Sequence, residues 1–126
     1  KMCAQHNENY YPKFKRWCDE YFYLPHRNEP RGIGGIFFDN LNNNNWNKDF
    51  DFIKDVGSFF NNYAMSIINK YKDKSWNNEE KEIQLKKRSR YAEFNLLHDR
   101  GTRFGLETGG NIDAILMSMP PQASWD

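Results

Sequence analysis

The segment DFDFIKDVGSFFNNYAMSIINKY, Asp49 to Tyr71, carries the clearest structural signal in this chain. Apolar side chains recur in it every three or four positions, the spacing that places them on one face of an α-helix. These positions are Ile53, Val56, Phe60, Tyr63, Ile67 and Tyr71. The segment therefore predicts a long amphipathic helix, and we work outward from it in both directions.

Upstream, the Asn-rich residues 42–47 predict a surface loop. Before that loop, Ile36–Leu41 predicts a strand that enters a turn, because the prolines and glycines just ahead of it disfavour a helix. Aromatic residues at helical spacing across Tyr10–Tyr23 predict an amphipathic helix that ends near Pro25.

Downstream, possible capping residues at Ser75–Asn78 precede acidic residues, which predicts the start of another helix. The stretch Tyr91–Asp99 fits either a continuation of that helix or a strand, and its periodicity favours neither. Residues 100–102 predict a turn. Asn111 predicts the cap of a short helix that stops before Pro120.

Length and composition limit the class of protein. A chain of 126 residues with one core predicts a single domain, and a net charge of +1 argues against a general nucleic-acid binder. Cys3 and Cys18 lack the spacing of a zinc site and predict reduced thiols in an intracellular protein. No apolar run approaches the roughly 20 residues of a transmembrane helix, so no membrane span is predicted.

Four arginines lie beside glycine or turn residues and indicate anion recognition, because a guanidinium group can hold a carboxylate or phosphate with two parallel hydrogen bonds. They are Arg27, Arg31, Arg100 and Arg103. The alternative is that they form structural ion pairs with Asp39, Asp99 or Glu29.

Other groups give weaker indications. The three histidines are too far apart in sequence for a short metal-binding motif, so no metal site is predicted. Gly32, Gly34 and Gly35 could bring backbone amides to a phosphate, but they precede the predicted strand, whereas nucleotide-binding loops follow one. Asp99 between His98 and Arg100 fits either an ionised acid beside an anion-binding cation or an ordinary helix end.

Three long blocks resemble the carboxy-terminal half of the oxygen-dependent coproporphyrinogen-III oxidase family. They are FKRWCDEYFYLPHRNEPRGIGGIFFDN at 14–40, RYAEFNLLHDRGTRFGLETGG at 90–110, and ILMSMPP at 115–121 followed by Trp125. They stand in the family's order, on either side of the Asn-rich loop. The resemblance implies that residues 1–126 are the carboxy-terminal portion of a single domain whose amino-terminal half is missing, so we expect the isolated chain to be inactive and poorly stable.

The resemblance implies an enzyme that oxidatively decarboxylates two propionates of coproporphyrinogen III to vinyl groups, giving protoporphyrinogen IX in heme biosynthesis. Molecular oxygen is then the oxidant, and no metal or organic cofactor is needed. The implied fold is α+β, a large antiparallel sheet flanked by helices, to which this chain contributes a helix-rich part. The implied assembly is a homodimer, and the implied location is the cytoplasm or, alternatively, the mitochondrial intermembrane space.

The resemblance also assigns residues, and it implies that Asp99 and Arg100 are the catalytic pair. Asp99 matches a family acid that accepts hydrogen bonds from pyrrole N–H groups, and Arg100 matches its neighbour that binds a propionate. The expected substrate-binding residues are His26, Arg27, Arg31, Gly32, Gly34, Gly35 and Arg103. Ser89 replaces a usual glycine and His98 a common aromatic residue, while position 103 is variable and often basic. The rival hypothesis is a non-enzymatic anion-binding or interaction fragment that uses the same arginines.

Overall fold

The computed structural model describes residues 1–125, and six helices and two short strands are present among them. The elements are α1 (Met2–His6), α2 (Tyr10–Tyr21), β1 (Tyr23–Leu24), β2 (Glu29–Pro30), α3 (Trp46–Tyr71), α4 (Asn78–Leu97), α5 (Arg100–Glu107) and α6 (Ile112–Ile115). They belong to two compact units. The first unit contains residues 1–18 and 35–75, and the second contains residues 19–34 and the described residues from 76 onward.

An aromatic cluster forms the core of the first unit. Phe52 on α3 is fully buried, and its ring lies 4.7 Å from that of Tyr10, 5.8 Å from that of Phe14 and 5.3 Å from that of Phe38, measured between centroids. Cys3 on α1 completes this core as a buried free thiol. The aromatic residues therefore provide much of the apolar area that stabilises this unit.

The predicted helix over Asp49–Tyr71 is confirmed, and α3 begins slightly earlier than expected, at Trp46. The side chain of Asn45 accepts a hydrogen bond from the Lys48 N–H at 3.1 Å and caps the helix. The loop predicted at 42–47 is therefore shorter, since Trp46 and Asn47 are helical. Asn43, within that loop, donates its side-chain amide to the carboxylate of Asp49.

The strand predicted over Ile36–Leu41 is wrong. This segment has no strand partner among residues 1–125, whose one sheet joins β1 to β2. Its backbone contacts a helix instead, because the Phe37 N–H donates to the Phe14 carbonyl at 3.1 Å. Ile36, Phe38 and Leu41 are half-buried against the aromatic cluster, so side-chain packing adds to this hydrogen bond in holding the segment in place.

The second unit contains the β1–β2 hairpin, α4, α5 and α6. The strands are antiparallel, with Tyr23 opposite Pro30 and Leu24 opposite Glu29. Leu24 on β1 is fully buried. The coarse prediction of a helix-rich chain with antiparallel sheet is confirmed by this small sheet and its helices.

The stretch Tyr91–Asp99, whose periodicity favoured neither helix nor strand, is helical through Leu97. A capping box starts α4, in which Asn77 accepts from the Glu80 N–H at 2.9 Å and Glu80 accepts from the Asn77 N–H at 2.9 Å. The turn predicted at residues 100–102 is wrong, because α5 begins there behind Asp99. The short helix predicted after Asn111 is confirmed as α6.

No helix within residues 1–125 is both long and apolar enough to cross a membrane.

Candidate functional site

Asp99 lies at the junction between α4 and α5, where it is the N-cap of α5. Its Oδ2 accepts the backbone N–H of Thr102 at 2.7 Å, and the hydroxyl of Tyr21 lies 3.4 Å from its Oδ1. A Cβ added to Gly101 would approach Oδ2 to 3.3 Å, so glycine leaves room for the carboxylate. Asp99 is half-buried, and a carboxylate with these two donors keeps further lone pairs for a ligand.

Arg100 is the first residue of α5 and is exposed. Its guanidinium carbon lies 5.1 Å from the centroid of the Tyr21 ring, which is within the range of a cation–π contact. Tyr21 is the last residue of α2, and it contacts both members of the predicted catalytic pair. The structure thus brings Asp99, Arg100 and Tyr21 together in the second unit.

Glu93 on α4 is 9% exposed and binds the predicted residues His26 and Arg27. The Arg27 guanidinium donates to both Glu93 oxygens, at 3.0 Å and 2.6 Å, and His26 Nε2 lies 2.8 Å from Glu93 Oε2. The indole N–H of Trp125 donates to Oε1 at 2.7 Å. Such an arrangement holds the carboxylate ionised in a buried position.

These donors change the acidity of Glu93. Burial raises the pKa of its carboxyl group, but the hydrogen bonds from Arg27, and then those from His26 and Trp125, lower that pKa to about 2. Arg27 therefore forms an ion pair within the fold, as the structural alternative anticipated. Its partner, however, is Glu93, rather than any of the acids considered from the sequence.

A second ion pair lies beside this cluster. Glu29 on β2 accepts from Arg90 Nε at 2.5 Å and lies 3.2 Å from Lys87 Nζ. The hydrogen bond from Arg90, followed by that from Lys87, lowers the pKa of Glu29. These contacts join the hairpin to α4 and hold the segment that carries His26 and Arg27.

Arg31 directly follows the hairpin and lies against three aromatic rings. Its guanidinium carbon is 3.9 Å from the ring centroid of Phe22, and 4.9 Å from those of Tyr91 and Phe94. Its backbone N–H also donates to the Phe22 carbonyl at 2.9 Å. The aromatic faces fix the plane of this guanidinium in a half-buried position.

The remaining predicted residues are more exposed. Arg103 on α5 lies 3.5 Å from Glu107, in an exposed pair. Gly32 and Gly34 are exposed, and Gly34 has φ +81°, a conformation that favours glycine. Gly35 is also exposed, and it belongs to the first unit.

Within residues 1–125, no group of three or more His, Cys, Asp or Glu side chains has an arrangement that could hold a metal ion. The expected lack of a cofactor stays a prediction.

Comparison with known proteins identifies the family. The model of the family described as coproporphyrinogen III oxidase matches residues 1–126. The chain belongs to this family. It is 54% identical over 125 residues to an oxygen-dependent coproporphyrinogen-III oxidase of Rickettsia bellii, covering 99% of this chain and 45% of that protein. It is 53% identical over 126 residues to the one of Rickettsia rickettsii, covering 100% of this chain and again 45% of the relative.

Membership of the coproporphyrinogen III oxidase family confirms the resemblance drawn from the three sequence blocks. The chain spans less than half the length of these curated relatives. The roles assigned to individual residues stay predictions.

Sequence reasoning missed Glu93 and Tyr21. A signal for Glu93 was available, because it is a charged residue between Ala92 and Phe94 in a largely apolar stretch. Charged residues are rarely fully buried without a partner, so that position indicated an internal ion pair. Tyr21 gave no comparable signal, since aromatic residues at helical spacing usually indicate packing.

Proposed function

We propose that this chain is the carboxy-terminal part of an enzyme that oxidatively decarboxylates coproporphyrinogen III to protoporphyrinogen IX. The observation that carries the proposal is the family match over residues 1–126, together with relatives named oxygen-dependent coproporphyrinogen-III oxidase. The clustering of acid, arginine and aromatic groups in the second unit supports it, because the substrate is a tetrapyrrole that carries carboxylates.

The proposed reaction balances with molecular oxygen as the sole oxidant. For each of two propionates, the C–C bond to the carboxylate breaks and releases carbon dioxide, and a vinyl group forms. The side chain loses one hydride equivalent, that is, one proton and two electrons. Molecular oxygen takes this equivalent and one further proton from solvent, which yields hydrogen peroxide. The balance needs no oxidant other than oxygen, and, as the resemblance implies, we propose that no metal or organic cofactor is used.

In this proposal Asp99 is the acid that faces the macrocycle. Its ionised carboxylate accepts hydrogen bonds from pyrrole N–H groups and stabilises positive charge as the ring is oxidised. The capping bond from Thr102 supports this role, because it fixes the carboxylate before substrate binds. Arg100 binds a propionate and orients the carboxylate that is lost.

The other predicted residues form the wall of the pocket. Arg27, bound to Glu93, is proposed to brace that wall and to position His26 beside it. Arg31 is proposed to present its guanidinium to a propionate from a fixed plane. Gly32 and Gly34 would let the backbone approach the macrocycle, and Arg103 would add positive charge at the rim.

We further propose that this chain completes a large antiparallel sheet flanked by helices, that the enzyme is a homodimer, and that it acts in the cytoplasm. The aromatic and aliphatic side chains exposed along α3 support a larger assembly, since monomeric proteins rarely expose wide apolar patches. They include Phe59 at 52%, Phe60 at 71% and Tyr63 at 58% exposure.

The test uses the complete gene product. Coproporphyrinogen III is bound without oxygen, air is then admitted, and the porphyrins are separated by chromatography. We expect the wild-type protein to form protoporphyrinogen IX and both Asp99→Asn and Arg100→Ala to lose most turnover. Asn retains the cap of α5, so the first variant removes only the charge.

The matched controls are Asp113→Asn and Arg16→Ala, which change exposed residues outside the predicted site. Both should keep wild-type turnover. If Asp99→Asn and Arg100→Ala also keep it, the two residues are structural. If the wild-type protein neither binds nor oxidises the substrate, the non-enzymatic anion-binding hypothesis replaces this one.

A further inference from the structure

Tyr21 contacts both residues of the predicted catalytic pair from a neighbouring element. We propose that Tyr21 is a positioning residue, whose hydroxyl orients the carboxylate of Asp99 and whose ring holds the guanidinium of Arg100. This inference rests on the function proposed above and assigns the pair a common support.

The hydroxyl determines the orientation of the carboxylate. Oδ2 of Asp99 is held by the backbone N–H of Thr102 at 2.7 Å, and Oδ1 lies 3.4 Å from the Tyr21 oxygen. Donors of different elements therefore face the two oxygens of one carboxylate. The contact from Tyr21 is the longer and therefore the weaker of the two. It restrains rotation of the Asp99 carboxylate, yet it leaves Oδ1 able to accept a stronger hydrogen bond from a ligand.

The ring of Tyr21 is itself held in place by aromatic neighbours. Its centroid lies 4.9 Å from that of Phe22 and 5.6 Å from that of Phe94, with interplanar angles of 87° and 65°. Phe94 is 1% exposed, so this contact fixes the ring against the core of the second unit. Edge-to-face contacts of this kind are favourable for aromatic pairs.

The fixed ring gives the exposed Arg100 a platform. The guanidinium carbon lies 5.1 Å from the ring centroid. An exposed arginine otherwise samples many rotamers, and ordering it on binding a propionate would cost conformational entropy. By holding Arg100 near its binding orientation, Tyr21 reduces that cost.

The two functions of Tyr21 can be separated by substitution. Tyr21→Phe removes only the hydroxyl, and Tyr21→Leu removes the ring as well. Oxygen-dependent turnover of the complete gene product is measured per folded protein, with the folded fraction taken from circular dichroism. We expect Tyr21→Phe to lower kcat about fivefold, as the loss of one ordinary hydrogen bond implies, because the contact is long, and to leave KM unchanged. Tyr21→Leu should lower kcat similarly and also raise KM.

The matched control is Tyr11→Phe, which removes the hydroxyl of a tyrosine on α2 that is 55% exposed and lies outside the pair. It should change neither parameter. A purely structural role for Tyr21 would lower the folded fraction while leaving kcat per folded protein at the wild-type value, which would overturn the proposal.

A double variant tests whether Tyr21 acts through Asp99. In an Asp99→Asn background, Tyr21→Phe should have no further effect on kcat. If the double variant instead lowers kcat by the product of the two single-variant effects, the proposal is overturned. If Asp99→Asn lowers kcat and Tyr21→Phe does not, only the role of Tyr21 is overturned. If the wild-type protein shows no turnover, the proposed function is overturned and this inference with it.

Discussion

Replacing Glu93 with Gln removes the charge from the centre of the His26, Arg27 and Trp125 cluster while keeping its shape. The hydrogen bonds of Glu93 lower its pKa from the ordinary value of 4.5 to about 2 in the folded protein. This difference corresponds to about 3 kcal/mol of stability near neutral pH. Because the side chain is 9% exposed, solvent screens this contribution little. We therefore expect Glu93→Gln to lower the free energy of unfolding by about 3 kcal/mol at pH 7.

The pH dependence of that loss has a definite sign. A carboxylate whose pKa is depressed by folding stabilises the protein above its unfolded pKa, here 4.5, and the stabilisation disappears as the pH falls through about 2. The difference in free energy of unfolding between wild type and Glu93→Gln should thus be largest above pH 5 and roughly half as large near pH 3.

The assay is urea unfolding of the complete gene product, followed by far-ultraviolet circular dichroism at several pH values. Glu107→Gln is the control, since Glu107 forms an exposed pair with Arg103 and should contribute little. A gap at pH 7 well below 3 kcal/mol, or one that does not change with pH, would refute the assignment of Glu93 as the charged centre of this cluster.

Two further predictions concern the stability of each unit. Phe52→Ala should destabilise the protein by about 3–5 kcal/mol, because Phe52 is fully buried among aromatic rings; a thermal melt would measure this, and an unchanged melting temperature would contradict it. Asn77→Ala should cost about 1 kcal/mol by removing the capping box of α4. Urea unfolding would measure that loss, with Asn78→Ala as the control, and equal losses in both variants would count against the cap.

The helices were the most predictable part of the fold. The apolar spacing of Asp49–Tyr71 persists over many turns, and a long periodic signal leaves few alternatives. Asn111 was also readable as a cap, because its side chain serves a helix that begins at the next residue. Such signals are local, so the sequence carries them directly.

The failed strand prediction involves a partner that is distant in sequence. Apolar residues at Ile36–Leu41 fit a strand, but a strand also needs a neighbouring strand, and the spacing of side chains does not indicate one. Residues 100–102 predict a turn, whereas in the structure they begin α5, where Gly101 makes room for the Asp99 cap.

The candidate site shows the same division. The block at 90–110 indicated Asp99 and Arg100 as a pair, yet their support by Tyr21 depends on the place of that one side chain beside the α4–α5 junction within the second unit. The arginines indicated charge pairing, but choosing Glu93 as the partner of Arg27 required its position on α4. Residue types were readable from the sequence, while their partners required the fold.

The contact between Trp125 and Glu93 makes this site accessible to fluorescence spectroscopy. An indole whose N–H donates to a carboxylate at 2.7 Å experiences a different local field when that carboxylate gains a proton or moves. Trp46 and Trp76, at 77% and 70% exposure, are set largely in solvent. Trp125 is itself 55% exposed, and Trp17 is the fourth tryptophan of the chain. With Trp17, Trp46 and Trp76 replaced by Phe, the emission of Trp125 becomes an intrinsic spectroscopic reporter on the electrostatic state of the cluster that holds His26 and Arg27.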